Sequence, residues 1–289
     1  MSRAGAPQAG GTFFIDGIAF WAPALPGWAH ARAALRGEVA PLAAPAKRPS
    51  PELLAAAERR RAPDTVALAL EVAAAAVRES GLDAATLPSV FTSAHGDLAV
   101  NDYMCSTLAS QPTTISPTRF HNSVHNAAAG YWTIATGCRE ASTALTAFDA
   151  SFGAGLLEAA SQCRADARPV LFVAFDIEAT GALASVTASV GLLACAFVLS
   201  PERSKRTAAA FDWSLATGRC SPASIRSAAA RSLGGNAMAG ALPLLEAIAT
   251  AAPGAGVASL ALPLSRSLAL SLAASPLVRG SDARAAIAA

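Results

Sequence analysis

Residues Ala141–Ala160, ASTALTAFDASFGAGLLEAA, decide the fold, because a strand, a tight turn and a helix follow one another there. Ala141–Ala147 is short, apolar and Thr-bearing, which predicts a buried β-strand. Ser151–Ala160 carries three large apolar residues on one side with small residues between them, which predicts a helix packed against a sheet. A turn of this kind presents one side chain beside the N–H groups of a helix N-terminus, and enzymes place a nucleophile there. This chain has Phe148 and Asp149 in the turn.

Other motifs surround this stretch in a fixed order. The segment Ser116-Pro117-Thr118-Arg119-Phe120 has the form S-P-x-x-F, and His121–Gly137 after it predicts a helix that contains an Asn. Thr146–Ser151 has the sequence T-A-F-D-A-S, Phe13–Pro23 predicts a strand with a glycine turn, and Val190–Leu199 predicts another strand. In this order and spacing the chain resembles the N-terminal half of the β-ketoacyl synthases, the condensing enzymes of the thiolase fold. That family has a T-A-C-S-S-S sequence at the position of Thr146–Ser151, its opening strand at Phe13–Pro23, and the strand that closes its first half at Val190–Leu199.

The resemblance implies an α/β protein with a thiolase-like layered α-β-α fold. Its well-matched half spans residues 1–200, and a shortened C-terminal half spans residues 201–289. Pro201–Arg206 is charged and lacks apolar periodicity, which favours a junction between the halves. Val257–Leu262 and Arg266–Leu272 resemble the last two strands of the family.

The family's second half carries two histidines, one of them in an H-G-T-G-T turn. No such turn occurs here, and all four histidines lie in the first half. Gly234–Gly240 resembles the start of the family's later Gly-rich helix, with Asn236 at the position expected for a histidine. Since Phe148 also stands at the nucleophile position, the resemblance implies that the chain lacks the catalytic residues of the family.

Decarboxylative condensation needs a thiolate that accepts an acyl group, and donors that stabilise the enolate and oxyanion. A phenylalanine cannot be acylated, and an asparagine cannot shuttle protons near neutral pH. The resemblance therefore implies a chain-length factor without independent activity, which pairs with an active β-ketoacyl synthase and shapes its acyl tunnel. The pathway implied is of the fatty-acid or polyketide type, such as one making an aryl polyene. A divergent condensing or acyl-transfer enzyme that uses Cys138, Asp149 or another group remains an alternative.

The family's dimer geometry implies a partner surface and a tunnel end. The partner surface would include the strand Ser142–Ala147 and the helical region Asp102–Leu108. The interface candidates on the strand are Ser142, Ala144, Leu145 and Thr146, and the bulky candidates for the tunnel gate are Tyr103, Met104 and Leu108. An acyl carrier protein would reach this assembly through the active partner.

Composition and spacing bound the remaining possibilities. A net charge of +2 gives no reason to expect a nucleic-acid partner. The N-terminus lacks the apolar core of a signal peptide, and no stretch predicts a membrane span, so we expect a cytoplasmic protein. His121 and His125 are spaced i, i+4 but lack the Glu of H-E-x-x-H or a clear third ligand, so neither a metal nor a cofactor is expected. The five cysteines form no C-x-x-C pair and are expected to be reduced thiols.

Overall fold

The computed structural model of the protein describes residues 10–218, 221–251 and 259–275. Cys220 and residues 257–258 of a predicted strand lie outside the described residues. The β-strands are β1 Gly10–Ala22, β2 Leu25–Pro26, β3 Ser89–Thr92, β4 Ser142–Leu145, β5 Val170–Asp176, β6 Leu193–Ser200, β7 Ala209–Thr217, β8 Ser259–Pro263 and β9 Leu268–Ala274. The α-helices are α1 Trp28–Leu35, α2 Ala56–Arg61, α3 Asp64–Ser80, α4 Leu98–Ser110, α5 Pro117–His121, α6 Ala127–Thr136, α7 Ser151–Ala165, α8 Ala228–Arg231 and α9 Leu242–Thr250.

All nine strands belong to one mixed sheet in the order β4-β3-β5-β6-β1-β7-β9-β8, with β2 paired to β1. Strand β3 runs parallel to β4 and to β5, and the remaining pairs are antiparallel. The strands after residue 200 therefore extend the sheet beyond β1. This arrangement places β4, the strand before Phe148, at one end of the sheet.

Helices cover both faces of the sheet and form two apolar cores. Helices α3 and α6 bury their apolar residues against one face, and α1, α7, α8 and α9 against the other. The fold is therefore the layered α-β-α architecture expected from the sequence. The part of the chain that the structure describes contains no helix long and apolar enough to cross a membrane.

Helix α3 follows the sequence signals closely. Pro63 immediately precedes it, and Gly81 ends it at φ 70°, a left-handed conformation that glycine adopts without a steric penalty. The helix predicted over His121–Gly137 is shorter than expected, because α5 ends at His121 and α6 begins only at Ala127. The N–H groups of Asn122 and Ser123 donate back to Arg119 and Phe120 with short-range bonds that close α5.

Strand β4 is the other difference from the sequence prediction. Its apolar composition predicted burial, but Ser142 and Ala144 are exposed and Leu145 is half-buried. The physical reason is its position, because among the described strands β4 has β3 as its only neighbour. Composition alone does not distinguish a strand that is buried within one chain from a strand at an open edge.

Candidate functional site

The turn between β4 and α7 has a left-handed residue at its centre. Phe148 has φ 53°, and Ala167 is the other non-glycine residue with positive φ in the described part of the chain. The Ser151 hydroxyl donates to the Phe148 carbonyl oxygen at 2.7 Å and accepts from the Ala147 N–H at 2.9 Å. A non-glycine residue in this region costs about 1–2 kcal/mol, so the surrounding bonds must hold the turn.

The turn is also tied to the strand beside it. The Thr146 hydroxyl donates to the Ala94 carbonyl oxygen at 2.9 Å, and the Thr92 hydroxyl contacts the carbonyl oxygens of Leu145 at 3.0 Å and Ser151 at 3.1 Å. Helix α7 approaches the sheet closely, since a Cβ at Gly155 would lie 2.8 Å from the Phe172 ring. The sequence therefore builds a rigid strand–elbow–helix unit although its elbow residue is a phenylalanine.

Among the described residues the Phe148 ring has one aromatic neighbour, and half of the ring is in solvent. It is 50% exposed and meets the ring of His95 edge-on, with centroids 5.7 Å apart and planes at 73°. Burial lowers the pKa of His95, while the charge of Asp149 and a backbone hydrogen bond at Ala94 act in the opposite direction. Asp149 itself is exposed, and α7 begins without a side-chain cap among the described residues.

A buried carboxyl group, that of Asp176, lies next to the backbone of His95. Asp176, at the end of β5, accepts hydrogen bonds from the Ser93 hydroxyl at 2.7 Å and from the Ala94 N–H at 2.8 Å. Burial raises the pKa of Asp176 to about 6, and these hydrogen bonds offset part of the rise. The sequence analysis did not single out this residue. An acidic residue directly after the apolar strand VLFVAF was the available signal.

Asn236 connects the segment between α8 and α9 to the segment between β5 and β6. Its Nδ2 group donates to the carbonyl oxygens of Val190 at 3.2 Å and Gly191 at 3.1 Å, and its Oδ1 atom accepts from the Met238 N–H at 2.9 Å. The Asn236 side chain is buried, with only 4% of its surface exposed. Both the Nδ2 and the Oδ1 atoms of the amide therefore form hydrogen bonds with backbone groups.

The three tunnel candidates have different environments on α4. The Tyr103 hydroxyl accepts from the Ser116 N–H at 3.1 Å, and the Arg119 guanidinium lies 4.1 Å from the centre of the Tyr103 ring. Met104 is 9% exposed and Leu108 is 54% exposed. Met104 and Leu108 lie one turn apart on the same face of α4. Along this face the side chains therefore change from buried at Met104 to exposed at Leu108. Tyr103, in contrast, is fixed within the chain.

Exposed apolar side chains are concentrated in a few segments of the chain. Among the described residues eleven large apolar side chains are exposed, and eight of them lie on or between α4, α5 and α6, in the elbow after β4, or between β5 and β6: Leu108, Phe120, Val124, Ile134, Phe148, Leu183, Val186 and Val190. Helix α4 contacts α5 and the turn containing Leu183, and α6 contacts β4. We call this set, together with the open edge of β4, the apolar edge surface. Thr146 is exposed there as well, although its hydroxyl is bonded to Ala94.

Of the two alternative reactive groups, Asp149 lies in the elbow turn, whereas Cys138 does not reach it. The Cys138 thiol is buried before the start of β4 and donates to the Leu87 carbonyl oxygen at 3.4 Å. His121 packs edge-on against Tyr131, and His125 Nε2 lies 3.1 Å from the Ser93 carbonyl oxygen. Within the described ranges, no three His, Cys, Asp or Glu side chains are grouped as a metal site would require.

A mixed sheet with helices on both faces and a strand–elbow–helix unit defines the thiolase-like ketosynthase class of fold. Residues 28–254 match the family "Beta-ketoacyl synthase, N-terminal domain". Since this match covers more than half of the 289 residues, the chain belongs to that family. No curated protein matches the chain.

Solved structures share the fold at low sequence identity. The structure of a ketosynthase, ApeO, in complex with its chain length factor, ApeC, from Xenorhabdus doucetiae is 20% identical over 93% of this chain and 100% of that chain, with a TM-score of 0.65. A type II polyketide synthase acyl-carrier protein in complex with its ketosynthase, AntDE:AntF, gives 10% identity, coverage of 92% and 100%, and a TM-score of 0.71. The ishigamide ketosynthase/chain length factor gives 15% identity, coverage of 91% and 99%, and a TM-score of 0.63.

Proposed function

We propose that this protein is a chain-length factor without condensing activity, which pairs with an active β-ketoacyl synthase and shapes its acyl tunnel. The observation that carries the proposal is the residue at the elbow. Phe148 has the left-handed conformation between β4 and α7, and its side chain is a hydrocarbon ring. A ring without a lone pair cannot attack a thioester, so the acyl-enzyme intermediate of condensation cannot form at this position.

Asn236 supports the same proposal. Its amide has no group that titrates near neutral pH, and its hydrogen bonds to Val190, Gly191 and Met238 give it a structural role. The residue at the expected histidine position therefore holds the two halves of the chain together. We propose that these halves divide near residue 200, where the turn between β6 and β7 lies, and that the second half is shortened.

The apolar edge surface supports a ketosynthase as the partner. An open strand edge carries unpaired N–H and C=O groups, and a neighbouring apolar area is typical of a surface that another chain covers. We propose that β4 pairs with the corresponding strand of the active subunit, which leaves Ser142, Ala144, Leu145 and Thr146 at the interface. An acyl carrier protein would then deliver substrates to the active subunit, in a fatty-acid or polyketide-type pathway in the cytoplasm, such as one making an aryl polyene.

Co-expression with an active β-ketoacyl synthase tests the proposal. We expect the two proteins to co-purify in equal amounts, and condensation of a carrier-bound malonyl group to require both. After incubation with an acyl thioester, intact-mass measurement should show acylation of the ketosynthase and no mass increase of this chain. Condensation or acylation by this chain alone would contradict the proposal.

A divergent acyl-transfer enzyme is the second candidate, and one observation favours it. His95 contacts Phe148, and burial lowers its pKa, so a neutral imidazole stands next to the elbow. A neutral imidazole can act as a general base. If this reading applies, a His95→Ala variant loses an acyl-transfer activity that the wild-type chain shows without a partner.

A further inference from the structure

A cavity of about 490 Å³ opens beside the start of α3, the start of α4 and α5. Its polar lining includes Arg61, Asp64, Asp97, Arg119 and Asn122, and Val100 and Ile177 supply apolar wall. The volume lies in the range of small-molecule sites. Phe148 does not line this cavity, so the cavity is separate from the elbow.

The two aspartates of the cavity already have partners. Asp64 forms an ion pair with Arg48 at 3.1 Å. The Asp97 carboxylate accepts from the Val100 N–H at 2.9 Å and from the Thr65 hydroxyl at 3.1 Å. Neither carboxylate therefore needs one of the cavity arginines as a counter-ion.

The two arginines of the cavity, in contrast, have no such partner. Across residues 10–218, 221–251 and 259–275, no carboxylate lies within 4.0 Å of the Arg61 or Arg119 guanidinium, and neither group donates a side-chain hydrogen bond. With Arg48 included, three arginines face two aspartates, which leaves one net positive charge at the cavity. A guanidinium offers several N–H donors in a planar fork that matches the oxygens of a carboxylate or phosphate.

One aromatic contact orients the side chain of Arg119, which is exposed. Its guanidinium lies 4.1 Å from the centre of the Tyr103 ring, a cation–π contact. The Tyr103 hydroxyl accepts from the Ser116 N–H, and the Ser116 hydroxyl accepts from the Arg119 N–H at 3.4 Å. Arranging a donor in advance reduces the entropy that binding must overcome.

Asn122 adds a polar atom that lacks a partner. The side chain is 4% exposed, and its Oδ1 atom has no hydrogen-bond partner among the described residues. A buried polar atom without a partner is unusual in a folded protein, but this oxygen is closed to solvent, so the anion site rests on the two arginines.

We propose that this cavity binds a small organic anion whose carboxylate or phosphate group lies between Arg61 and Arg119. Val100 and Ile177 contact the hydrocarbon part of the ligand. The site does not depend on the proposed pairing with a ketosynthase, because every group named belongs to this chain.

Isothermal titration calorimetry of the full chain at low ionic strength tests the site, with inorganic phosphate and hexanoate as separate probes. We expect saturable binding of at least one probe, and the tighter probe identifies the anionic group. Arg61→Gln and Arg119→Gln should each weaken binding about tenfold or more, because each removes a charged hydrogen-bond donor. Added salt should weaken binding as well.

Arg60→Gln is the matched control, since Arg60 lies on the same helix, is exposed and does not line the cavity. It makes the same change in net charge and should leave the affinity within about twofold. Thermal unfolding of each variant establishes that it is folded. The proposal is overturned if the wild-type chain binds neither probe, or if Arg60→Gln weakens binding as much as Arg61→Gln.

Discussion

The strained elbow predicts an unusual order of stability for two truncations of Phe148. Both Phe148→Ala and Phe148→Gly remove the ring, which is 50% exposed and contacts His95. Removing a half-buried aromatic ring should lower the free energy of unfolding by about 1–2 kcal/mol in either variant. The two variants differ only in how easily their backbone adopts φ 53°.

Glycine adopts the left-handed region freely, whereas alanine has the same steric penalty as phenylalanine. We therefore expect Phe148→Gly to be more stable than Phe148→Ala by about 1 kcal/mol, although glycine is usually the less stable choice. For a chain of this size, that difference corresponds to about 2–4 °C in Tm. The Phe148→Gly variant should then lie within about 1 kcal/mol of the wild-type chain.

Denaturant unfolding followed by circular dichroism measures the difference, and thermal scans check it. Ala167→Gly serves as the control, because Ala167 has φ 48° and is exposed, so that glycine there relieves strain and removes little else. This control should gain about 1 kcal/mol. If it does, while Phe148→Gly is no more stable than Phe148→Ala, the elbow is not left-handed in the protein and the reasoning fails.

Four further predictions follow from other parts of the chain. If Asn236 stands at a histidine position as proposed, Phe148→Cys alone should not restore condensation. Carbanion formation by that single variant, measured without a partner, would disprove this. Leu145→Asp should abolish co-purification with the ketosynthase without changing the circular dichroism spectrum. The control Leu82→Asp, at a 38% exposed position outside the apolar edge surface, should co-purify as the wild-type chain does. An unchanged Leu145→Asp dimer in sedimentation would refute the interface. Leu108→Gly or Met104→Ala in the reconstituted pair should lengthen the products seen by mass spectrometry, and a lower yield at unchanged product length would mean that the residue has a packing role alone. Met104→Ala should also destabilise the chain by about 2–5 kcal/mol, because Met104 is buried. Burial raises the pKa of Asp176 to about 6 from its ordinary value of 3.8, so its contribution to stability is greatest below about pH 4 and falls by on the order of 3 kcal/mol as the pH rises to 6. The urea midpoint of Asp176→Asn should therefore depend less on pH over this range than that of the wild-type chain, and an unchanged pH dependence would exclude Asp176 as the cause.

The sequence by itself determined the local units of this protein and their order. The bounds of α3 follow from Pro63 and Gly81, and the strand, turn and helix around Phe148 lie where the pattern of Ala141–Ala160 placed them. These features depend on residues close together in the chain, such as a helix stop signal or the spacing of apolar side chains. The family resemblance then supplied the expectation that these units form a layered α-β-α fold.

The tertiary structure alone decided which side chains meet. Asp176 is paired with Ser93, which is 83 positions away in the sequence, and Asn236 reaches the Val190 carbonyl oxygen across 46 positions. The exposure of β4 depends on its place in the strand order, and the cavity lined by Arg61 and Arg119 depends on how the ends of four helices, α2 to α5, come together. No local pattern carries this information, because burial, pKa and hydrogen-bond partners depend on neighbours that the chain brings together only when it folds.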